Sequence, residues 1–441
     1  MRASPLMLCL LLSFTALHAW ALDGDADPAF GTDGQVVIVR PQKTPGNATK
    51  PTGDLAVLAD GRFIWAAPLD DGSVWVGRAW RNGAADATFG SDGTGRITLP
   101  ACGQNRDVRL IGDGGSGAFV WSSRCLRHVL GDGTTKPDFG QGPMPPDAFF
   151  PADLAQDSAG RFVLAGREGQ QGKVYRFDGA GTADPTFGTA GSVVVSLPVS
   201  NWSEVKALAV RSDGRILIGG SRGSTHGSNL VIAQLLQDGS PDPGWNDDGV
   251  VDMEPPPEFN GMIANALALD GDGSLVISGM GNNSSDSCCI LITRLDTDGE
   301  IMPQFGLRLF QLSGQPRIYP FFEQRDALVL LPNHRIIVGA LSFPFVAPFR
   351  HRTRFTLIRT FSDGRLDTGF GQNGWNSYTI ADPLSAGQFG DYQQMHAIGH
   401  DDADGSMLIL GRTFFEDNST GDDYVSIVRA RFDLIFDGTF E

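Results

Sequence analysis

The stretch DGAGTADPTFGTAGSVVV, which spans Asp178–Val195, decides the fold. It contains a glycine turn, an Asp-Pro-x-Phe-Gly-x-x-Gly phrase and a β-branched run. Glycine accepts positive φ and aspartate bonds its own backbone, so the first part is typical of a tight turn. Pro185 fixes φ and has no N–H to donate, so it precedes a strand. Phe187 is predicted to fill the space between packed layers, and Val193–Val195 is predicted to be a strand.

The same phrase returns along the whole chain. Its aromatic positions are Phe30, Phe89, Phe139, Phe187, Trp245, Phe305, Phe370 and Phe440. Subtracting successive positions gives intervals of 48 to 70 residues, and the eight markers enclose seven units. A repeat of this length predicts a solenoid or a propeller.

Each unit also carries a hairpin signal, an Asp-Gly turn between two apolar runs, as in Leu208–Gly220. A third strand follows the hairpin, and the run after the Phe-Gly phrase is a fourth. Four strands per unit without helical crossovers predict an all-β, seven-bladed β-propeller of four-stranded antiparallel blades. The alternative interpretation is a row of small β-domains or an open solenoid, although an open array would require distinct capping units.

The phasing of the repeat predicts how the ring closes. Gln35–Val39 follows a Phe-Gly phrase but has no hairpin before it, whereas Met395–Phe432 has a hairpin and a third strand but no fourth. We therefore expect the N-terminal strand Gln35–Val39 to complete the last blade and to remove its exposed edge.

These residues resemble the bacterial delta-60 repeat, and the copies that show it best are Ala183–Val195 and Ala207–Gly220. The resemblance covers nearly all of residues 22–441, which are predicted to form one propeller domain of seven such repeats. It implies a secreted or surface β-propeller-like protein without established activity or known catalytic residues. The second unit departs from the pattern around Lys136–Phe139, and the sixth has Pro332–His334 in place of its Asp-Gly turn.

Met1–Ala21 has the pattern of a secretory signal peptide. Arg2 supplies a positive start, Leu6–Phe14 is apolar, and Ala19–Ala21 is an A-x-A cleavage signal. The alternative is a membrane anchor, but the apolar run is shorter than the roughly 20 residues that a span requires. We expect export to the periplasm or the extracellular space. The net charge of −17 argues against nucleic acid and anionic membranes as partners.

The cysteines outside the signal peptide suggest a disulfide. Cys102 and Cys125 bracket a predicted hairpin in an exported chain, so we expect them to be bonded. Cys288 and Cys289 are adjacent, and a mutual bond would be strained. For that pair, buried or unpaired thiols are favoured over a redox or metal role.

No catalytic residue, metal site or cofactor is predicted. The alternating aspartates of Asp23–Asp27 and Asp401–Asp404 suggest Ca²⁺, but no loop has a closing Glu, so they are interpreted as turns. His396 and His400 lie four apart in a segment interpreted as strand or turn, where they would not share a helical face. The chain also lacks the helices that a nucleophile elbow requires.

The candidate ligand-binding residues are few. Most tryptophans lie in apolar strand contexts and are expected in the core, whereas Trp202 lies in the polar segment Val199–Ser203. Arg350, His351 and Arg352 concentrate basic charge in the variable loop Ser342–Arg352 of an otherwise acidic chain, where an acidic ligand is expected.

We therefore predict a monomeric binding or scaffold module of the bacterial envelope or extracellular space, with an unknown protein or carbohydrate ligand. The alternative is a propeller enzyme, such as a polysaccharide lyase or a lactone hydrolase, with its site at the channel mouth. A surface adhesive is a third hypothesis.

Overall fold

The computed structural model shows an all-β chain. The described residues are 23–40, 52–103, 107–142, 144–146, 148–197, 201–224, 227–282, 287–310, 317–319, 327–343, 353–381, 392–414 and 423–432. In these ranges one helical turn, α1 (Asn246–Gly249), interrupts the strands. None of the helical structure described there is long and apolar enough to cross a bilayer.

Seven sets of strands follow β1 (Gln35–Val39), and we number them units 1 to 7. Unit 1 contains β2 (Asp54–Val57), β3 (Phe63–Pro68), β4 (Val74–Ala79) and β5 (Arg96–Leu99). Unit 2 contains β6 (Val108–Gly112), β7 (Ala118–Ser122) and β8 (Cys125–Val129). Unit 3 contains β9 (Phe149–Gln156), β10 (Phe162–Glu168), β11 (Gln171–Phe177) and β12 (Ser192–Val195). Unit 4 contains β13 (Trp202–Val210), β14 (Ile216–Ser224), β15 (Gly227–Leu235) and β16 (Val250–Met253).

The remaining units follow the same plan. Unit 5 contains β17 (Gly261–Leu269), β18 (Leu275–Asn282), β19 (Ser287–Leu295) and β20 (Leu307–Phe310). Unit 6 contains β21 (Arg317–Tyr319), β22 (Leu328–Leu330), β23 (Ile336–Phe343), β24 (Arg354–Thr360) and β25 (Trp375–Tyr378). Unit 7 contains β26 (Tyr392–His400), β27 (Met407–Phe414) and β28 (Asp423–Ala430). Pairing between the named strands is antiparallel, except for one parallel pair, Ser228 with Gly261, which joins units 4 and 5 into one sheet.

The first strand pairs with the last unit. Gln35 lies opposite Val428 and Val39 lies opposite Tyr424 in an antiparallel ladder. The sheet therefore has the order β1-β28-β27-β26. This confirms the pairing of Gln35–Val39 that the phasing of the repeat predicted, and it covers the outer edge of β28.

Among the described residues, the buried hydrophobic side chains form seven clusters, each packed between two successive units. Phe187 and Ile218 lie in the cluster between units 3 and 4. Phe30 and Leu408 lie in the cluster between units 7 and 1. The first strands of successive units also contact one another, and the series returns from β26 to β2. Both faces of a central strand are therefore covered, and β3 is buried along its whole length.

The Phe-Gly phrase of each unit packs against a turn glycine of the next. A Cβ added to Gly239 of unit 4 would lie 2.8 Å from the ring of Phe187, and the φ of +91° there also disfavours any other residue. The N–H of Gly188 donates to the carbonyl of Asp238 at 2.9 Å. The glycines in this position are Gly24, Gly83, Gly133, Gly181, Gly239, Gly299 and Gly364.

An arginine on the third strand links the aspartate and phenylalanine of this phrase. In unit 3, Arg176 Nε donates to the Asp184 carboxylate at 2.8 Å, and the guanidinium lies 4.6 Å from the centre of the Phe187 ring. Arg176 also donates to the carbonyl of Gln237 in unit 4. Such buried charge pairs hold only with good geometry, so the arginine fixes one unit against the next. The same arrangement of arginine, aspartate and phenylalanine recurs around Arg78 and Arg359.

In unit 1 this arrangement perturbs a carboxyl group. Burial opposes the ionisation of Asp86, but hydrogen bonds from Thr88 and Arg62 and the nearby charge of Arg78 favour it. The balance lowers the pKa of Asp86 from 3.8 to about 2.

The two irregular units keep their hairpins. In unit 2, the described residues give three strands, which agrees with its compressed sequence. In unit 6, His334 takes the left-handed position of the turn with φ of +60°, and its N–H donates to Leu331 O at 2.8 Å. The hairpin between β22 and β23 therefore forms without an Asp-Gly pair.

Candidate functional site

A cavity of about 560 Å³ lies where units 3, 4 and 5 meet. Residues from the turn after β10, the starts of β13 and β17, and the ends of β14 and β18 line it. These segments meet at one edge because the two strands of an antiparallel hairpin start and end side by side. The volume is in the range of small-molecule sites.

The units approach closely at the floor of this cavity. A Cβ added to Gly261 would lie 2.5 Å from Ser228 Oγ and 2.9 Å from Asn282 Oδ1. A side chain at position 261 would therefore displace Ser228 and Asn282 where units 4 and 5 meet. The Ser228 hydroxyl also donates to the carbonyl of Met262 at 3.4 Å.

Trp202 forms part of the cavity wall. It begins strand β13 rather than lying in a loop, and it is only 2% exposed. Its indole N–H donates to the carbonyl of Val195 at 2.9 Å. Its ring covers Gly172, where an added Cβ would lie 2.7 Å from the indole nitrogen. Little of the ring faces the cavity, so Trp202 shapes the wall and its N–H is already used.

The remaining wall combines buried apolar groups with a few charges. Met262 and Met280 are buried and line the cavity. Lys206 Nζ lies 3.4 Å from Glu204 Oε2, and both residues line the same space. Arg167, at the end of β10, is partly buried and also lines the cavity. Arg167 and Lys206 have no signal in the sequence, because neither lies in the repeated phrase or in a charged cluster.

His396 lies on the first strand of unit 7, at the bulge between Met395 and Ala397. Its Nδ1 accepts the N–H of Gly53 at 2.9 Å, which links unit 7 to unit 1. Burial, together with the charges of Arg412 and Arg40, lowers the pKa of His396 to about 3, so the ring is neutral at physiological pH. Its Nε2 has no hydrogen-bond partner among the described residues.

The other predicted residues are distributed around the chain. Cys102 and Cys125 form the predicted disulfide, with a Cα–Cα distance of 6.0 Å. Arg350, His351 and Arg352 lie outside the described residues.

The acidic segments and His400 are engaged in ion pairs within the protein, two of which join distant parts of the chain. Asp23 pairs with Arg359 at 2.5 Å, and Asp401 pairs with Arg81 at 2.9 Å. His400 Nδ1 lies 2.8 Å from Asp402. Across the ranges that the structure describes, no group of three or more His, Cys, Asp or Glu is placed to hold a metal ion.

Comparison with known proteins gives one local family match. Residues 211–244 match the model of a domain of unknown function (DUF5122), described as a β-propeller. No curated protein matches the chain. With the antiparallel four-stranded sheets, the match identifies the fold as β-propeller-like.

Several solved structures are similar in shape and remote in sequence. Virginiamycin B lyase from Staphylococcus aureus, solved as a catalytically inactive variant with quinupristin, is 10% identical with a TM-score of 0.44, and the match covers 89% of this chain and 98% of that one. A protein of unknown function from Dyadobacter fermentans is 13% identical with a TM-score of 0.44, covering 90% and 98%. The β-propeller domain of Cps50 (Swd1) from Myceliophteria thermophila is 11% identical with a TM-score of 0.40, covering 89% and 99%.

Proposed function

We propose that this chain is an exported binding module built as a closed, seven-bladed β-propeller of delta-60-like repeats over residues 22–441. The seven inter-unit core clusters and the pairing of β1 with β28 support a ring of seven. The signal-like segment Met1–Ala21 and the Cys102–Cys125 disulfide support export, because disulfides persist in oxidising compartments.

The cavity between units 3, 4 and 5 is the proposed binding site. It combines an apolar wall with a small number of polar groups, as ligand sites usually do. Trp202 supplies part of that wall. Arg350, His351 and Arg352, which follow β23 in the sequence, are proposed separately to bind an acidic ligand. The enzyme hypothesis stays the alternative, and metal analysis of the purified protein distinguishes it if a stoichiometric, tightly bound metal is found.

A ligand screen by thermal shift tests the binding proposal, because a ligand that binds only the native state raises its apparent stability by mass action. Each hit is repeated with Ser228→Phe, which places a bulky ring at the cavity. The matched control is Ser158→Phe, at an exposed turn whose hydroxyl bonds Ser212 O at 3.2 Å. We expect Ser228→Phe to abolish the shift and Ser158→Phe to preserve it. A ligand that causes the same thermal shift in Ser228→Phe as in the wild type would bind outside this cavity.

A further inference from the structure

Arg167 is a cation without a matching anion in the proposed site. Arg167 lines the cavity, and within the described part of the chain its side chain makes no ion pair or hydrogen bond. The third-strand arginines differ, since Arg176 is paired with Asp184 and Arg359 with Asp367. A partly buried, unpaired cation retains its capacity to bind an anion from solution.

The charges of the lining sum to one positive unit. Lys206 and Glu204 are 3.4 Å apart and offset one another. Counting two cations, Arg167 and Lys206, against one anion, Glu204, leaves a net charge of +1. The whole chain carries −17, so the cavity is positive against an acidic background. A net charge of one matches a monoanion better than a phosphate dianion.

The apolar residues of the lining indicate the chemistry of the uncharged part of the ligand. Met262 is 1% exposed, Ile263 is 7% exposed and Met280 is 2% exposed, and all three contribute to the cavity. Methionine side chains adapt to irregular apolar shapes. A ligand that fills this space therefore needs an apolar body as well as its charged group.

We propose that the cavity binds a small molecule with an apolar body and one carboxylate, and that Arg167 pairs with that carboxylate. The planar guanidinium matches a carboxylate through two parallel N–H donors. The inference rests on the proposed function, because it names the ligand class of the same cavity.

The test compares matched ligands by titration calorimetry on the full mature chain. Phenylacetate, indole-3-acetate and octanoate are each paired with the corresponding primary amide, which has nearly the same shape without the charge. We expect each carboxylate to bind wild type about tenfold more tightly than its amide, as for one charge-assisted pair. Arg167→Gln should bring that ratio close to one, and Arg167→Lys should preserve part of it because it keeps the charge. Arg365→Gln is the control, since Arg365 is 73% exposed, pairs with Asp363 and does not line the cavity.

The outcomes separate the two proposals. If amides and carboxylates bind wild type equally, or if Arg167→Gln retains the tenfold preference, the carboxylate assignment is wrong while the cavity still binds ligands. If neither series binds, or if binding survives Ser228→Phe, the proposed cavity function fails and the assignment fails with it. A preference that Arg365→Gln also removes would reflect the general charge of the protein and would overturn the role of Arg167.

Discussion

Two identical substitutions test whether the units form a closed ring. Phe30 and Phe187 are both fully buried, and each packs in the core between two units. Phe187 joins units that are adjacent in the chain, whereas Phe30 joins unit 7 to unit 1. Phe30→Ala and Phe187→Ala therefore delete the same side chain at an internal junction and at the closing junction.

The structure gives the two junctions similar contacts. The ring of Phe30 lies 5.9 Å from that of Phe63, and an added Cβ at Gly83 would lie 3.1 Å from Phe30. Removing a buried Phe costs about 3–5 kcal/mol through lost burial and the cavity left behind. If the ring is closed, both variants should lose about this much, which is a factor of about one hundred to a few thousand in the folding equilibrium at about 1.4 kcal/mol per tenfold.

Guanidinium unfolding followed by tryptophan fluorescence measures both losses. For each variant, the slope of the unfolding free energy against denaturant concentration must equal that of the wild type, so that a shift of the midpoint reports a change in stability. The reasoning would be refuted if Phe187→Ala lost about 3–5 kcal/mol while Phe30→Ala lost less than about 1 kcal/mol. That result would mean that the N-terminal segment contributes little and that the ring is open in solution.

Three other predictions address separate features. Cys102→Ser with Cys125→Ser should cost roughly 3 kcal/mol in the same unfolding assay, because the bond closes a loop with a sequence separation of 23, and an equal stability of the variant and the wild type would contradict this. Asp86→Asn should lower stability at pH 7 by about 2 kcal/mol: the native pKa of Asp86 lies below its unfolded value, so its contribution is present above pH 4 and is lost as the pH falls towards 2. A constant difference between wild type and Asp86→Asn from pH 7 to pH 2 would exclude this. N-terminal sequencing of exported protein should begin at Leu22, and a start further upstream would indicate an anchor.

Much of the fold was predictable because the repeat concentrates its constraints in a few residues. Phe187 and the flanking turns predicted the strand order, and the phasing of the repeat predicted that Gln35–Val39 pairs with β28. The link that Arg176 forms with Asp184 and Phe187 was not predicted, because a charged residue within an apolar strand resembles an outward-facing position. The spacing in the sequence could have predicted this pair. Arg176 precedes Asp184 by eight residues, and Arg359 precedes Asp367 by the same interval.

The candidate site was less accessible from the sequence. Trp202 has polar neighbours, which favoured a loop, yet it begins a strand whose alternation turns its ring inward. Arg167 lies in unit 3 and Lys206 lies in unit 4, and they line one cavity only because the sheets of these units pack together. No local sequence pattern predicts that these two residues line the same cavity, because their placement depends on long-range contacts between units.

The contact between a Phe-Gly phrase and the following turn glycine is directional. Each unit presents the aromatic phrase on one side and the turn glycine on the other, so neighbouring units meet head to tail. Because the aromatic phrase of one unit meets a turn glycine of the next at these junctions, with Trp245 in place of Phe between units 4 and 5, an in-frame duplication or loss of one repeat in the gene leaves the remaining interfaces with a similar partner. The number of units that such contacts can join is then limited by the angle between neighbours and not by the chemistry of the contacts, which gives the gene a simple route to proteins with other numbers of units.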